Sequence, residues 1–503
     1  MRLYWHNYNY LGYEKDFSIR EARALLNPNK LVKLKDHLRL EGNFSEDKIS
    51  KLVYFSKAEI NGNSILTLQH KLEQKCNGFS NGENRQSTRY SVHGAHSYKG
   101  KFNPQVVRSI LNILNIKEGS NILDPFCGSG TSLVECFFAK QNCIGFDTNP
   151  LAIFVANAKI ESLKVSPNKL MKEGKKIVDL AKNGGNHKLT LNQNSSPRIT
   201  YLQKWFPEKY LADIELLKQE LDKSTFKHKQ ILYVLASNLL RDYSNQEPTD
   251  LRIRKRFSEF PKEPFFESYL TLLSCLTRKL KSTQEQVPDS GKTIVAKNID
   301  SSEKNKVHNA LSRKNSIDAG ITSPPYAMAL PYIDTQRLSL VWLDLLQPSE
   351  IRQADQELIG SREYINGDQG VWESRLDKNT DGLPFELHSY CMKLKSFIGK
   401  DDGFRRKAVP SLLYRYFVGM GNVFENILPY FKKNAPLALI VGHNSTTLGN
   451  KLFNIDTPNL LLNLALSKGW KEKEITKLQT YKRYQLHKKN SINEESLIII
   501  QRK

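Results

Sequence analysis

Apolar positions change their period several times along the chain, and each change marks an element. Residues 3–10 form an aromatic, strand-like run. Residues 18–26 repeat apolar positions at helical spacing, with Ser18 placed to cap a helix and Glu21 to complete a capping box. Residues 77–87, rich in Asn, Gly and Ser, read as a linker. Residues 105–160 run helix, strand, Gly-rich turn, helix (132–139), strand, helix. Residues 166–289 are mainly helical, as at 210–221, with a polar break at 183–197. Strand character returns at 293–296. Residues 347–410 are polar, with scattered aromatics and glycines, and show no clean period. A buried strand at 436–441, an apolar helix at 460–467 and a final strand at 497–500 close the chain. Strands that alternate with helices predict an α/β fold, a twisted and mainly parallel sheet with helices on both faces.

Two segments in this pattern carry chemistry. In Asn121-Ile-Leu-Asp-Pro-Phe-Cys-Gly-Ser-Gly-Thr131 an apolar strand enters a tight turn and then a helix. Gly128 and Gly130 let backbone approach a ligand, and the helix start offers free N–H groups. No G-K-[ST] follows and G-x-G-x-x-G is absent, so this is neither a phosphate loop nor a dinucleotide fingerprint. One β–α–β unit later, Cys143-Ile-Gly-Phe-Asp147 ends a second strand on a carboxylate suited to two ribose hydroxyls. An ordinary α/β turn with a capping Asp would have the same pattern. The turn together with Asp147 favours a site for a nucleotide-like cofactor. The other segment is Ile317-Asp-Ala-Gly-Ile-Thr-Ser-Pro-Pro-Tyr326. Two prolines fix its backbone and remove two N–H donors, leaving Ser323 and a carbonyl as acceptors beside the ring of Tyr326. That set suits a planar base bearing an amino group; its bland alternative is a Pro-Pro turn after a strand.

Charge narrows the partner. Lys and Arg number 75 against 52 acidic residues, a net +23, which points to a polyanion. The densest basic clusters are Arg252, Arg254, Lys255 and Arg256, and Lys482, Arg483, Lys488 and Lys489 with Tyr481 and Tyr484 between them. Arg362, in the segment 357–364 that follows the Ser-Pro-Pro-Tyr strand, is a further candidate for polyanion contact. A charge run is more often a solvated face. The six cysteines include no C-x-x-C pair, so neither a disulfide framework nor a metal site is expected. No apolar stretch is long enough to span a bilayer and the N-terminus lacks the apolar core of a signal peptide, so a cytoplasmic, nucleoid-associated protein without membrane contact is expected.

Asp124-Pro-Phe-Cys-Gly-Ser-Gly-Thr131 paired with Thr322-Ser-Pro-Pro-Tyr326 closely resembles the amino-methylating DNA methyltransferases, and the S-P-P-Y form is most similar to the N4-cytosine branch. The resemblance covers residues 93–160, 293–346 and 425–503. It implies a Rossmann-like methyltransferase sheet and S-adenosylmethionine as cofactor. The cofactor would be held by Tyr98, Lys101, Asp124, Pro125, Phe126, Gly128, Gly130, Thr131, Asp147 and Asp300. Catalysis would fall to Ser323, Pro324, Pro325 and Tyr326. The implied partner is double-stranded DNA with the target base flipped out and Tyr326 stacked on it, with a cognate restriction endonuclease as a companion in a restriction-modification or defence system.

The expected organisation is a mixed N-terminal module (1–92), the cofactor half of the sheet (93–165), a helical insertion (166–289), the catalytic half (290–346), a candidate target-recognition insertion (347–424) and the end of the sheet (425–503). Many relatives with S-P-P-Y place the catalytic motif first, whereas here the cofactor motif leads. Alternatives are an N6-adenine methylase, an RNA guanine-N2 methylase, whose usual motif is D-P-P-Y, and a non-catalytic nucleic-acid-binding protein.

Overall fold

The computed structural model describes residues 1–74, 86–98, 100–184, 196–250, 253–328, 332–365, 367–479 and 494–503. The chain starts with an antiparallel five-stranded sheet, ordered β2-β3-β1-β4-β5. Its strands are β1 (Arg2–Trp5), β2 (Lys30–Lys33), β3 (His37–Glu41), β4 (Phe55–Ile60) and β5 (Asn63–Leu66). Leu3, Leu38, Leu40, Phe55 and Ala58 of this sheet pack with Ala22 and Leu26 of the helix Gly12–Leu26.

Two sequence expectations fail here. β1 ends at Trp5, and Tyr8 and Tyr10 stack on each other beyond it, ring centroids 4.5 Å apart. The helix begins at Gly12, so Ser18 and Glu21 lie inside it rather than at its cap. The Glu14 carboxylate caps it instead, accepting the Leu11 N–H at 2.6 Å. Ser18 accepts from the Trp5 indole at 3.1 Å, and Glu21 accepts the Val53 N–H at 3.1 Å. Both side chains satisfy buried donors from elsewhere in the module, a demand that local pattern does not carry. Most of the expected linker lies outside the described residues, as does most of the polar break at 183–197.

The second sheet has seven strands: β6 (Asn121–Asp124), β7 (Asn142–Asp147), β8 (Ile294–Asn298), β9 (Ala319–Thr322), β10 (Pro436–Gly442), β13 (Trp470–Gln479) and β14 (Glu494–Arg502). Between β10 and β13 a two-stranded hairpin, β11 (Asn444–Leu448) and β12 (Lys451–Ile455), stands apart. The order is β13-β14-β10-β9-β6-β7-β8. Pairs among β10, β9, β6, β7 and β8 are parallel; β14 is antiparallel to both β10 and β13. This is a Rossmann-like methyltransferase sheet. Alternation explains its two covered faces. Ala438, Ile440, Leu497 and Ile499 join one apolar core, while Leu437, Leu439, Val441, Ile498 and Ile500 join the other.

From β6 the chain builds outward through β7 to β8, then returns to place β9 on the other side of β6. Strand order therefore reverses between β6 and β9, the position where open α/β sheets leave a crevice at their carboxyl ends. The helices Pro104–Ile113, Thr131–Phe138 and Pro150–Ser162 flank this half. Residues 167–286 add the helices Pro167–Gly184, Glu208–Lys223, Gln230–Leu239 and Phe265–Gln286, among others. The stretch without a clean period is helical: Ile351–Glu357, Asp368–Lys378, Phe385–Ser396 and Phe404–Lys407 precede the long helix Val409–Ile427. The first four bury few residues each, such as Asp355, Leu376 and the trio Leu387, Cys391 and Leu394. So narrow an apolar stripe leaves little period to read.

Candidate active site

Both motifs lie at the carboxyl edge, at the ends of adjacent strands. β6 ends on Asp124 and β9 on Thr322, and the Thr322 hydroxyl donates to Asp124 Oδ1 at 2.6 Å. Asp124 also accepts the Phe126 N–H at 3.0 Å and the Ser132 hydroxyl. It is buried, and that burial pushes its carboxyl up to about 6 despite three donors. Asp124 therefore ties the cofactor turn to the catalytic strand and does not line the cavity between them.

That cleft, of about 700 Å³ counted to its open mouth, falls in the size range of small-molecule sites. Of the expected cofactor residues, Tyr98, Pro125, Phe126, Gly128, Asp147 and Asp300 line it. Gly128 has φ +48°, and a Cβ there would lie 3.6 Å from the Tyr98 ring. The Tyr98 hydroxyl accepts from Asn149 Nδ2 at 3.3 Å. Asp147 accepts the Gly128 N–H through Oδ2 at 2.9 Å and the Asn149 N–H through Oδ1 at 2.8 Å. With Gly128, Asn149 and Thr148 donating to a carboxylate that has four lone pairs, at least one lone pair remains for a ligand. Burial pushes this carboxyl up to about 6. Asp300 accepts from the backbone and hydroxyl of Ser302 at 2.8 and 2.7 Å.

Three expected cofactor residues serve the scaffold. Gly130, with φ +80°, would put a Cβ 2.7 Å from that of Ala156, so it allows the turn to pack on the helix Pro150–Ser162. Thr131 is buried in the first turn of its helix. The Lys101 ammonium donates to the carbonyls of Thr88 and His93 at 3.0 and 2.9 Å, behind the cavity lining. A fourth support escaped sequence reading. Lys159 is fully buried under the turn and donates to the Ser129 carbonyl at 2.9 Å. Burial lowers its ammonium to about 7. A lysine on a helix whose other inward residues are Leu151, Ala152, Val155 and Ala156 was the available signal.

On the catalytic side, Ser323 and Pro325 line the same cleft. The Ser323 hydroxyl donates to the Ile440 carbonyl at 3.2 Å, so its lone pairs remain for accepting. The Tyr326 hydroxyl donates to Glu495 Oε1 of β14 at 2.6 Å. Burial and the Glu495 charge hold that phenol well above its ordinary pKa. Gly100, Thr148, Asn149, Ile299, Ser301 and Tyr332, which the sequence did not single out, also line the wall, with Leu358 and Ile359 from the segment 357–364 that was expected to approach the target. Gly360, φ +83°, brings its segment against the Tyr326 carbonyl, which would stand 2.7 Å from a Cβ.

The basic candidates separate. Arg362 donates to the Met328 carbonyl and so steadies the loop after the motif. Arg256 is spent inside the fold, donating to the carbonyls of Ser244, Arg241, Asp242 and Glu259 and lying over Phe260, which removes it as a ready phosphate contact. Arg254 is largely exposed and pairs with Asp250 at 2.8 Å. Arg252, Lys482 and Arg483 lie outside the described residues, as do Tyr481, Tyr484, Lys488 and Lys489.

Among the described residues, the cavity lining contains two carboxylates and no lysine or arginine. Two carboxylates suit a nucleoside that carries positive charge. Its apolar members, Phe126 and Ile299, offer cover for a purine ring. The sequence profile of the N6/N4 DNA methylases matches residues 19–157, a span that holds the whole cofactor turn and Asp147. Over that span the chain is similar to the amino-methylating DNA methylases, and so are its DNA-methylating relatives. The methylases of this family use S-adenosylmethionine, and the cavity's charge and lining fit it.

Among relatives, the type II methyltransferase M.MjaII of Methanocaldococcus jannaschii is 27% identical over 46% of this chain and 47% of its own. The type II methyltransferase M.MvaI of Kocuria varians is 26% identical over 58% of this chain and 67% of its own. A tRNA (guanine(10)-N2)-dimethyltransferase of Methanocaldococcus jannaschii is 27% identical over 26% of this chain and 38% of its own. The chain spans about half to two thirds of the length of these two DNA relatives. The family profile begins inside the N-terminal module, where the sequence alone had suggested no likeness.

Proposed function

We propose that this methylase transfers the methyl group of S-adenosylmethionine to an exocyclic amino nitrogen of a flipped base in DNA, the N4 of cytosine. The observation that carries this reading is the single cleft shared by Asp147 and Asp300 on one side and Ser323 and Pro325 on the other. The cofactor supplies an electrophilic methyl on a sulfonium. Asp147 accepts from the ribose hydroxyls, Asp300 lies toward the adenine, and Tyr98 covers the turn at Gly128. The nitrogen to be methylated is a weak nucleophile because its lone pair is delocalised into the ring. Ser323 Oγ and the Pro324 carbonyl would accept from its N–H groups and free that lone pair to attack the methyl carbon in line, so that the N–C bond forms as the S–C bond breaks, a neutral thioether departs, and the extra amino proton passes to solvent. Positioning contributes most of such catalysis. Tyr326 stacks on the base, its hydroxyl anchored by Glu495.

The names of the DNA relatives, type II methyltransferases, support a role in a restriction-modification system; a cognate endonuclease and a place in the cytoplasm on the nucleoid are part of the same proposal. The likeness to the tRNA enzyme favours a second reading, guanine-N2 methylation of RNA. Ser323 stands against it, where the resemblance to that class would require Asp. The deciding experiment incubates the protein with labelled cofactor and DNA or RNA, digests the product and separates the nucleosides. Label in N4-methyl-2′-deoxycytidine is expected. Label in N6-methyladenine nucleoside moves the target to adenine and leaves the mechanism; label in RNA alone overturns the DNA reading.

A further inference from the structure

The β11–β12 hairpin leaves the sheet at the carboxyl edge, directly after β10, and Asn444 at its base donates to the Ala327 carbonyl of the catalytic loop. Five residues at about 3.3 Å each carry its tip roughly 15 Å beyond that loop. The tip is locked to the insertion. Asp402, buried, accepts the Gly449 N–H and the Gly399 N–H, both at 2.8 Å. Gly449 has φ +51° and a Cβ there would sit 2.5 Å from the Phe397 carbonyl. Phe397 and Phe453 pack at 5.0 Å between centroids, with the Lys451 ammonium 5.0 Å from the Phe397 ring. Two segments distant in sequence are therefore one rigid surface.

That surface is basic and carries an exposed aromatic, Phe404, with the Arg405 guanidinium 5.6 Å from its ring centre. Lys400, Arg405, Arg406, Lys407 and Lys451 are exposed on it. Arg406 reaches Asp402 only at 3.6 Å and remains 54% exposed. Asp401 is the acidic group exposed among them. Phe404, 73% exposed, stands beside these cations. Five exposed cations against one exposed carboxylate make the face complementary to a polyanion.

We propose that this joined face, Phe404 with Lys400, Arg405, Arg406, Lys407 and Lys451, holds duplex DNA beside the target base, the cations on phosphates and Phe404 against sugar or a base edge. The proposal rests on the DNA reading above. A duplex carries one charge per about 1.7 Å of axis, so a row of cations on the hairpin and the insertion, apart from the cleft lining, suits phosphates that flank the flipped base. Specificity for a charged backbone, not for sequence, is what such a set provides.

The test measures fluorescence anisotropy of a labelled mixed-sequence 30-base-pair duplex against the full chain from 50 to 200 mM salt. It compares wild type with Arg405→Gln/Arg406→Gln/Lys407→Gln and with Phe404→Ala, with S-adenosylmethionine affinity as the control for folding. The triple variant is expected to bind tenfold or more weakly and to flatten the log–log salt slope by about 2.7, the release expected from three lost phosphate contacts. Phe404→Ala should weaken binding and leave the slope unchanged. Cofactor affinity should stay the same in both. A triple variant that binds duplex with wild-type affinity and slope overturns the proposal, while methylation of DNA by that variant keeps the functional reading. A triple variant that changes only the oligomeric state likewise overturns it and makes the face a contact between copies. Wild-type protein that methylates RNA alone overturns the functional reading and this one with it.

Discussion

Asp147 and Tyr326 show how a single side chain's surroundings set its chemistry. The Asp147 carboxyl is pushed up to about 6 by burial, so above that pH it is an acceptor-only carboxylate and below it one oxygen becomes a donor. Cofactor affinity should therefore be full at pH 7–8 and fall as pH drops through about 6. Asp147→Asn should remove that pH dependence, and Asp147→Ala should weaken binding by about 1.5–3 kcal/mol at pH 7.5. Calorimetry across pH 5.5–8 checks both, and a flat wild-type profile would return Asp147 to a turn-capping role. Tyr326 has a second task beside stacking, because its hydroxyl is held by Glu495. Tyr326→Phe keeps the ring and loses a charge-assisted hydrogen bond worth about 1.5–3 kcal/mol. It should lower kcat by roughly tenfold with cofactor Kd unchanged, and Tyr326→Ala should lower it much further. Equal activity of Phe and wild type would show that the Glu495 contact contributes nothing.

At the scale of elements, the cofactor turn was legible because its constraints are local. Gly128 and Gly130 adopt positive φ, and the strand–turn–helix pattern around them is written in consecutive residues. What Gly130 does was not legible, since Ala156 reaches it from a different helix. Gly130→Ala combines a left-handed backbone with a 2.7 Å clash and should destabilise the fold by about 1–3 kcal/mol. Thermal unfolding should register this as a loss of roughly 2–4 °C per kcal/mol. An unchanged melting temperature would mean that the helix Pro150–Ser162 yields at no cost. Ser18 and Glu21 illustrate the opposite failure: a correct capping pattern was overruled by buried donors at Trp5 and Val53. The insertion's short helices were missed because each turns only a residue or a few inward.

For the whole molecule, net charge of +23 must be distributed before it means anything. The structure withdraws Arg256 and Lys101 into backbone contacts and leaves Arg254, Lys400, Arg405 and Lys407 outside. Duplex binding should fall by on the order of a thousandfold between 50 and 200 mM salt if six phosphates are engaged. Filter binding or anisotropy over that range checks it, and an affinity independent of salt would redirect the charge to a partner other than nucleic acid.

The sequence by itself determined the sheet, the two motifs and the family, because period-two strands, paired glycines and a rigid Ser-Pro-Pro-Tyr are short-range patterns. Only the tertiary structure decided which polar groups face the cleft. Asp124 and Asp147 both end strands at the same edge, yet Asp124 is turned to Thr322, Ser132 and Phe126 and lines no part of the cleft, whereas Asp147 is held by backbone N–H groups and lines it. That difference depends on which strand lies beside β6, a pairing between residues nearly two hundred positions apart, and no local pattern encodes it.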